Sequence, residues 1–235
     1  MKKLIMAGVL AAISIMSLLA GDVATFVDKG FSEDGKYYIF GQYGRTDKKY
    51  QGWAEIYQVD ISKNDYVDGG VFRTKPTSET TDKSGIEVYN SLEAKSYYYF
   101  KNIKTQKAGP DQLLYVCEDS SKTGNEKIIF KDFRKSKLGQ EESYTISLCS
   151  TVYGSGKNVK SSFYINVEKK DSKGNVISTK KVGNPDIVRK GVSGYKIERI
   201  MCDKSENNLI FVVEKTMVDN TGISVRYMIE AAEIK

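Results

Sequence analysis

The sequence predicts a mainly β chain, an antiparallel propeller-like or sandwich-like meander of about eleven or twelve strands with one covering α-helix. Three observations carry that expectation. Short runs rich in aromatic and β-branched residues alternate in polarity, as Ser143–Tyr153 (SYTISLCSTVY) does. Polar clusters of hairpin length separate such runs, Asp171–Asn175 (DSKGN) being the strongest. Only one segment, about residues 84–107, repeats its apolar residues at the helical period.

The elements follow in order. Val23–Phe31, Lys36–Tyr43, Trp53–Ile61 and Asp65–Arg73 predict a four-stranded antiparallel unit, with Gly44–Gly52 (GRTDKKYQG) as a polar hairpin loop. Gly69-Gly70 marks a bulge or bend in its last strand. Ile86, Tyr89, Leu92, Tyr99 and Ile103 then recur at helical spacing until Gly109-Pro110 stops them. Tyr97–Phe100 (YYYF) is expected to cover a sheet and not to form a stacking platform, since consecutive helical residues do not share a face. Strand patterns resume at Gln112–Cys117, Lys127–Phe133, Ser143–Tyr153, Ser162–Lys170, Val176–Val182, Tyr195–Cys202, Asn208–Glu214 and Ser224–Ile234. The turn and strand at FSEDGKYYIF (Phe31–Phe40) are echoed by CDKSENNLIFVVEK (Cys202–Lys215), which would place first and last units in equivalent positions, as in a propeller that closes its ring.

Compartment and domain organisation come from the ends. Lys2 and Lys3 precede an apolar run, Leu4–Ala20, with the pattern of a Sec-type signal peptide over residues 1–20. No cysteine lies near the junction, which argues against a lipobox. The expectation is a periplasmic or secreted protein whose residues 21–235 form a single mainly β domain, with no membrane span after signal cleavage. The formal net charge is +6, but two of those lysines are in the leader and the others are scattered. Nucleic acid, which needs a basic stripe, is not an expected partner.

The chain has no histidine, which excludes Ser-His-Asp and Cys-His machinery and imidazole metal sites. No CxxC, Walker-type loop or GxGxxG appears, so no cofactor is expected. Cys117, Cys149 and Cys202 each sit in or beside an apolar run and read as small buried hydrophobes, with one disulfide among three pairings as the alternative.

Two resemblances enter at the residues that carry them. FSEDGKYYIF with AEIYQVDI (Ala54–Ile61) resembles a blade of the TolB-type propeller repeats. Over most of the chain, the order of GDVATFVDKGFSEDGKYYIFGQYG, AEIYQVDI, the helical segment and YKIERI…LIFVVEK resembles a family of bacterial predicted secreted proteins of unknown function. That resemblance implies export and one coherent fold; it carries no catalytic residue.

Three kinds of site come into question. Asp60, Asn64, Asp65 and Asp68 lie in an acidic stretch, yet their spacing misses the calcium-loop pattern and Asx side chains stabilise turns unaided, so no metal site is expected. Carboxylates could hydrolyse glycosides without histidine, but Glu33–Asp34, Glu118–Asp119 and Glu141–Glu142 are sequence neighbours that point to opposite faces of a strand, and no catalytic residue is assigned. Tyr43, Tyr50 and Trp53 bracket the first hairpin loop and are the candidate binding residues, for a sugar or a peptide. The expected function is therefore a non-enzymatic binding or protein-interaction module of the envelope, with an envelope protein or glycan as partner. The alternative is a carboxylate-dependent hydrolase acting on envelope glycan.

Overall fold

Leu209–Val213 (LIFVV) has no polar residue to alternate with, the pattern of a strand covered on both faces. The computed structural model describes residues 22–118, 127–131, 142–219 and 222–234 and gives that run this position. In chain order the strands are β1 (Thr25–Ser32), β2 (Tyr37–Arg45), β3 (Gly52–Asp60), β4 (Asp65–Thr74), β5 (Thr105–Gln106), β6 (Leu113–Val116), β7 (Ile128–Lys131), β8 (Ser143–Tyr153), β9 (Lys160–Lys170), β10 (Val176–Val182), β11 (Arg189–Lys190), β12 (Val192–Cys202), β13 (Asn208–Asp219) and β14 (Gly222–Glu233), with helix α1 (Gly85–Phe100) between β4 and β5. They form three antiparallel sheets: β4-β3-β2-β1-β5, then β14-β13-β12-β6, and β10-β9-β8-β7 with β11 added beside β9.

The second sheet lies between the other two. On one face Leu209, Phe211 and Val213 of β13 pack with Ile146, Phe163 and Ile165 of the third sheet. On the other, Ile210 and Val212 pack with Tyr38, Phe40 and Tyr57 of the first. Burying each of these large side chains contributes about 1.5–3 kcal/mol. A bulge in β12 between Ile197 and Arg199 reverses its alternation, so Ile197 and Ile200 both face the third sheet while Met201 turns to the first. The helix covers the outer face of the first sheet, where Val88, Tyr89 and Leu92 meet Ile39, Ala54 and Ile56. The sandwich-like alternative is thus the one realised, and a closed propeller is not. The sheets stack through their faces, with the last unit between the other two.

Most strands lie where the pattern places them; the helix is shorter. It begins with a capping box, in which Ser84 Oγ accepts from the Glu87 amide and Glu87 returns a carboxylate oxygen to the Ser84 amide at 2.7 Å. It ends at Phe100, not near 107, because Thr105–Gln106 leave it to pair with Phe31 and Ser32 at the edge of β1. Its buried stripe runs through Gly85, Val88, Tyr89, Leu92 and Ser96, leaving Ile86 exposed. Of the YYYF run, Phe100 covers Phe72 and the Tyr99 hydroxyl donates to Gln58, whereas Tyr97 and Tyr98 are 60% and 77% exposed, against the expectation that all would cover a sheet. Cys149 and Cys202 are free thiols, which leaves none of the three pairings, and burial pushes the Cys202 thiol up to about 12. The predicted leader lies outside the described residues.

Where a strand at the edge of a sheet is itself buried, as much of β14 is, its outward backbone groups need protein partners in place of water. The β14 edge is closed by groups from far away in sequence. Val225 donates its amide to the Asp22 carbonyl, and Ala24 returns its amide to the Val225 carbonyl. Gln42, 2% exposed, uses its side-chain amide as a strand would use a peptide unit: Oε1 accepts from the Tyr227 amide at 2.8 Å and Nε2 donates to the Tyr227 carbonyl at 3.3 Å. Asn64, at φ 51° in the β3–β4 turn, accepts from the Ala231 amide. Gln42→Leu should therefore strand the Tyr227 amide and cost about 1–3 kcal/mol. Urea unfolding checks this; an unchanged midpoint would mean the edge is not closed by Gln42.

Candidate functional site

In a meander, alternate turns gather at one end of the sheet. The β1–β2 and β3–β4 turns of the first sheet and the β12–β13 turn of the second do so here, bounding a groove of about 940 Å³. Gln106 and Lys107 after α1, with Gln112, form another wall, and Glu233 contributes from the end of β14.

All three turns use the same device, a serine and an aspartate two residues apart. Ser32 Oγ donates to Asp34 Oδ1 at 2.7 Å, and the Lys36 amide adds a second bond to that oxygen at 3.2 Å. Ser62 Oγ donates to Asp60 Oδ1 at 2.7 Å, with the Lys63 amide at 3.2 Å. Ser205 Oγ donates to Asp203 Oδ2 at 2.5 Å, while Asp203 Oδ1 accepts from the amides of Asn207 and Asn208 at 2.9 and 3.0 Å. These are Asx-type turns in which the carboxylate substitutes for a backbone acceptor. The Ser32 hydroxyl and the Lys36 amide hold the Asp34 carboxyl below its ordinary range. Burial acts to raise Asp60, but the Ser62 hydroxyl and Lys63 outweigh it, and the net shift is downward. Asp34 and Asp60 are held in the ionised form at neutral pH, and all three carboxylates are occupied by their own turns.

The echo between the first and last units is real at the level of geometry. Gly35 donates its amide to the Ser32 carbonyl at 2.9 Å, and Glu206 does the same to the Asp203 carbonyl at 2.9 Å. Both closing residues have positive φ, 68° at Gly35 and 59° at Glu206. The two turns lie side by side: Asn208 Nδ2 reaches the Gly35 carbonyl at 3.5 Å, and a Cβ on Gly35 would lie 3.3 Å from Asp203 Oδ2. They are neighbours in a stack, not the two ends of a ring.

The residues singled out in sequence lie elsewhere. The β2–β3 loop is at the opposite end of the first sheet from the groove. Trp53 is buried there, its indole N–H donating to Asp22 Oδ2 at 2.6 Å and its ring covered by Arg226 at 3.8 Å. Arg226 also donates to Asp22 Oδ2 at 2.6 Å, yet burial dominates and raises the Asp22 carboxyl. Tyr43 packs on Tyr89 of the helix. Tyr50, 58% exposed, has the Arg45 guanidinium over its ring at 5.1 Å. Trp53 and Tyr43 are thus committed to packing, and Tyr50 is the member left open. Of the acidic stretch, Asp60 serves its own turn and Asn64 serves β14. Asp119 and Glu141 lie outside the described residues. The groove had a readable signal that was missed, the Ser/Asp pair at positions 32 and 34, 60 and 62, and 203 and 205.

The family model for predicted secreted proteins (DUF2259) matches residues 39–233, and the chain belongs to that family. No curated protein and no solved structure matches it. Among the described residues, no helix is long and apolar enough to cross a membrane.

Gly35→Ala should cost about 1–2 kcal/mol from the left-handed backbone alone and press on Asp203 as well. Thermal or urea unfolding of the variant checks this; wild-type stability would mean that the two turns are not held together through Gly35.

Proposed function

We propose that this member of a secreted family is a non-enzymatic binding module that takes an extended polar ligand, an envelope glycan or a segment of an envelope protein, in the three-turn groove. One observation carries the reading. The groove is lined mainly by polar residues, and the Asp34, Asp60 and Asp203 carboxylates around it spend their hydrogen-bonding capacity on holding the turns. Rigid turns on a packed scaffold suit recognition. Glycoside hydrolysis needs a facing pair of carboxylates with one kept neutral, and Asp34 and Asp60 are shifted the other way. The surrounding side chains, Lys36, Lys107, Lys204, Gln112 and Asn207, supply donors suited to hydroxyl and carbonyl oxygens.

The test is thermal unfolding against envelope glycan fragments and extended peptides, followed by analysis of products. A ligand at a hundred times its Kd adds about 2.7 kcal/mol, a rise of roughly 5–10 °C for a chain of this size. Lys107→Glu and Lys204→Glu, both exposed, should remove the rise without moving the unliganded midpoint. Release of cleaved glycan would overturn the reading in favour of a hydrolase. A rise that survives both variants would move the site away from the groove.

A further inference from the structure

A second cleft, of about 640 Å³, lies among the β3–β4 turn, the connection from β10 to β11, and the strands β13 and β14. Its charges do not balance locally. Lys215, half-buried on β13, faces it and has no hydrogen-bond or ion-pair partner among the described residues. Arg189 enters from β11, its guanidinium lying over the Phe163 ring at 4.9 Å and the Tyr195 ring at 6.0 Å. Of its five N–H donors, one is used, to the Ile187 carbonyl at 3.3 Å. The facing acid does little for either cation. Glu230 is buried against Asn64 and the Gly183 backbone, its nearest approach to Arg189 is 3.9 Å, and burial raises its carboxyl toward the neutral form. The neighbouring lysines are committed elsewhere, Lys180 to the Glu233 carbonyl at 2.7 Å and Lys181 to the face of Tyr164 at 4.7 Å.

Two cations with spare donors thus share a partly dry cleft in which the ion pair of Arg189 with Glu230, at 3.9 Å, is long and leaves Lys215 unmatched, an arrangement that costs free energy. We infer that this cleft binds a small anionic group, a carboxylate or a phosphate, between Arg189 and Lys215. The stacked guanidinium offers a fixed planar fork, and the amine a mobile point charge, a combination suited to an oxyanion. The site adjoins the three-turn groove, sharing Ile61, Ser62 and Glu233 with it, but Arg189 and Lys215 line only the cleft and the inference does not depend on how the groove is used.

The pH dependence supplies a readout. Burial first, and Arg189 next, depress the Lys215 amine to about 8 from 10.5; Arg226 and Arg73 push the same way and Glu55 opposes them. Because the folded value is the lower one, the stability Lys215 contributes is present above the ordinary lysine range and is lost as pH falls through about 8. A bound anion should restore it.

The experiment titrates the purified protein with inorganic phosphate and with acetate, at constant ionic strength made up with sodium chloride, and follows the unfolding midpoint near neutral pH and near pH ~9.5. A saturable rise is expected near neutral pH and a smaller one at the higher pH. Lys215→Met and Arg189→Leu should each weaken it by about tenfold or more. Lys215→Met should also raise the unliganded midpoint near neutral pH, while Lys204→Glu in the groove leaves the rise intact. A larger response to phosphate assigns a phosphoryl ligand, and a larger response to acetate a carboxylate. No saturable response to either anion, or an equal response in Lys215→Met, overturns the inference.

Discussion

The structure depends on closing the β14 edge. A sheet with a core on both faces is shielded from water on both sides, so each unpaired peptide group along its edge carries a desolvation cost of about 1–3 kcal/mol. The edge is met by the Asp22–Ala24 backbone and by the side chains of Gln42 and Asn64, all from the first sheet or the segment before it. This arrangement fixes the relation of first sheet to second. It also gives a second role to a buried glutamine, which donates to Glu55 within its own hairpin at 2.8 Å, and to a left-handed asparagine in the β3–β4 turn.

From that constraint the functional geography follows. With the two sheets locked together, the β1–β2, β3–β4 and β12–β13 turns meet at one end and bound a common groove. The same β3–β4 turn carries Asp60 on the groove side and Asn64 at the β14 edge. One short loop thus helps to bound the groove and to close the central sheet. The cleft at Lys215 is a consequence too, since it lies where the β10–β11 connection passes that turn.

Much of the fold was legible because hairpins are local. Ser143–Tyr153, Val176–Val182 and the DSKGN turn could be read from alternation and turn chemistry alone. The stacking order was not, because LIFVV says that a strand is covered on two faces and not by what. The β12 bulge hides its alternation, so neither face could be assigned from spacing. Ile103 misled the helix boundary: it reaches the same core cluster as the helical stripe from beyond the last turn. The candidate site was less legible still. Trp53 beside a polar loop looked available, and only Asp22 and Arg226, distant in sequence, reveal that it is enclosed. Gln42 and Asn64 carried no local mark of their role, as their partners are 185 and 167 residues away.

The central claim is that the β14 edge is closed by these side chains, and amide hydrogen exchange under native conditions tests it most directly. The Tyr227 and Ala231 amides should exchange only through global unfolding, with protection matching Phe211 and Val212 in the middle of β13. Rapid exchange at Tyr227 and Ala231 alongside slow exchange at Phe211 would contradict the account, because the edge would then be open to water.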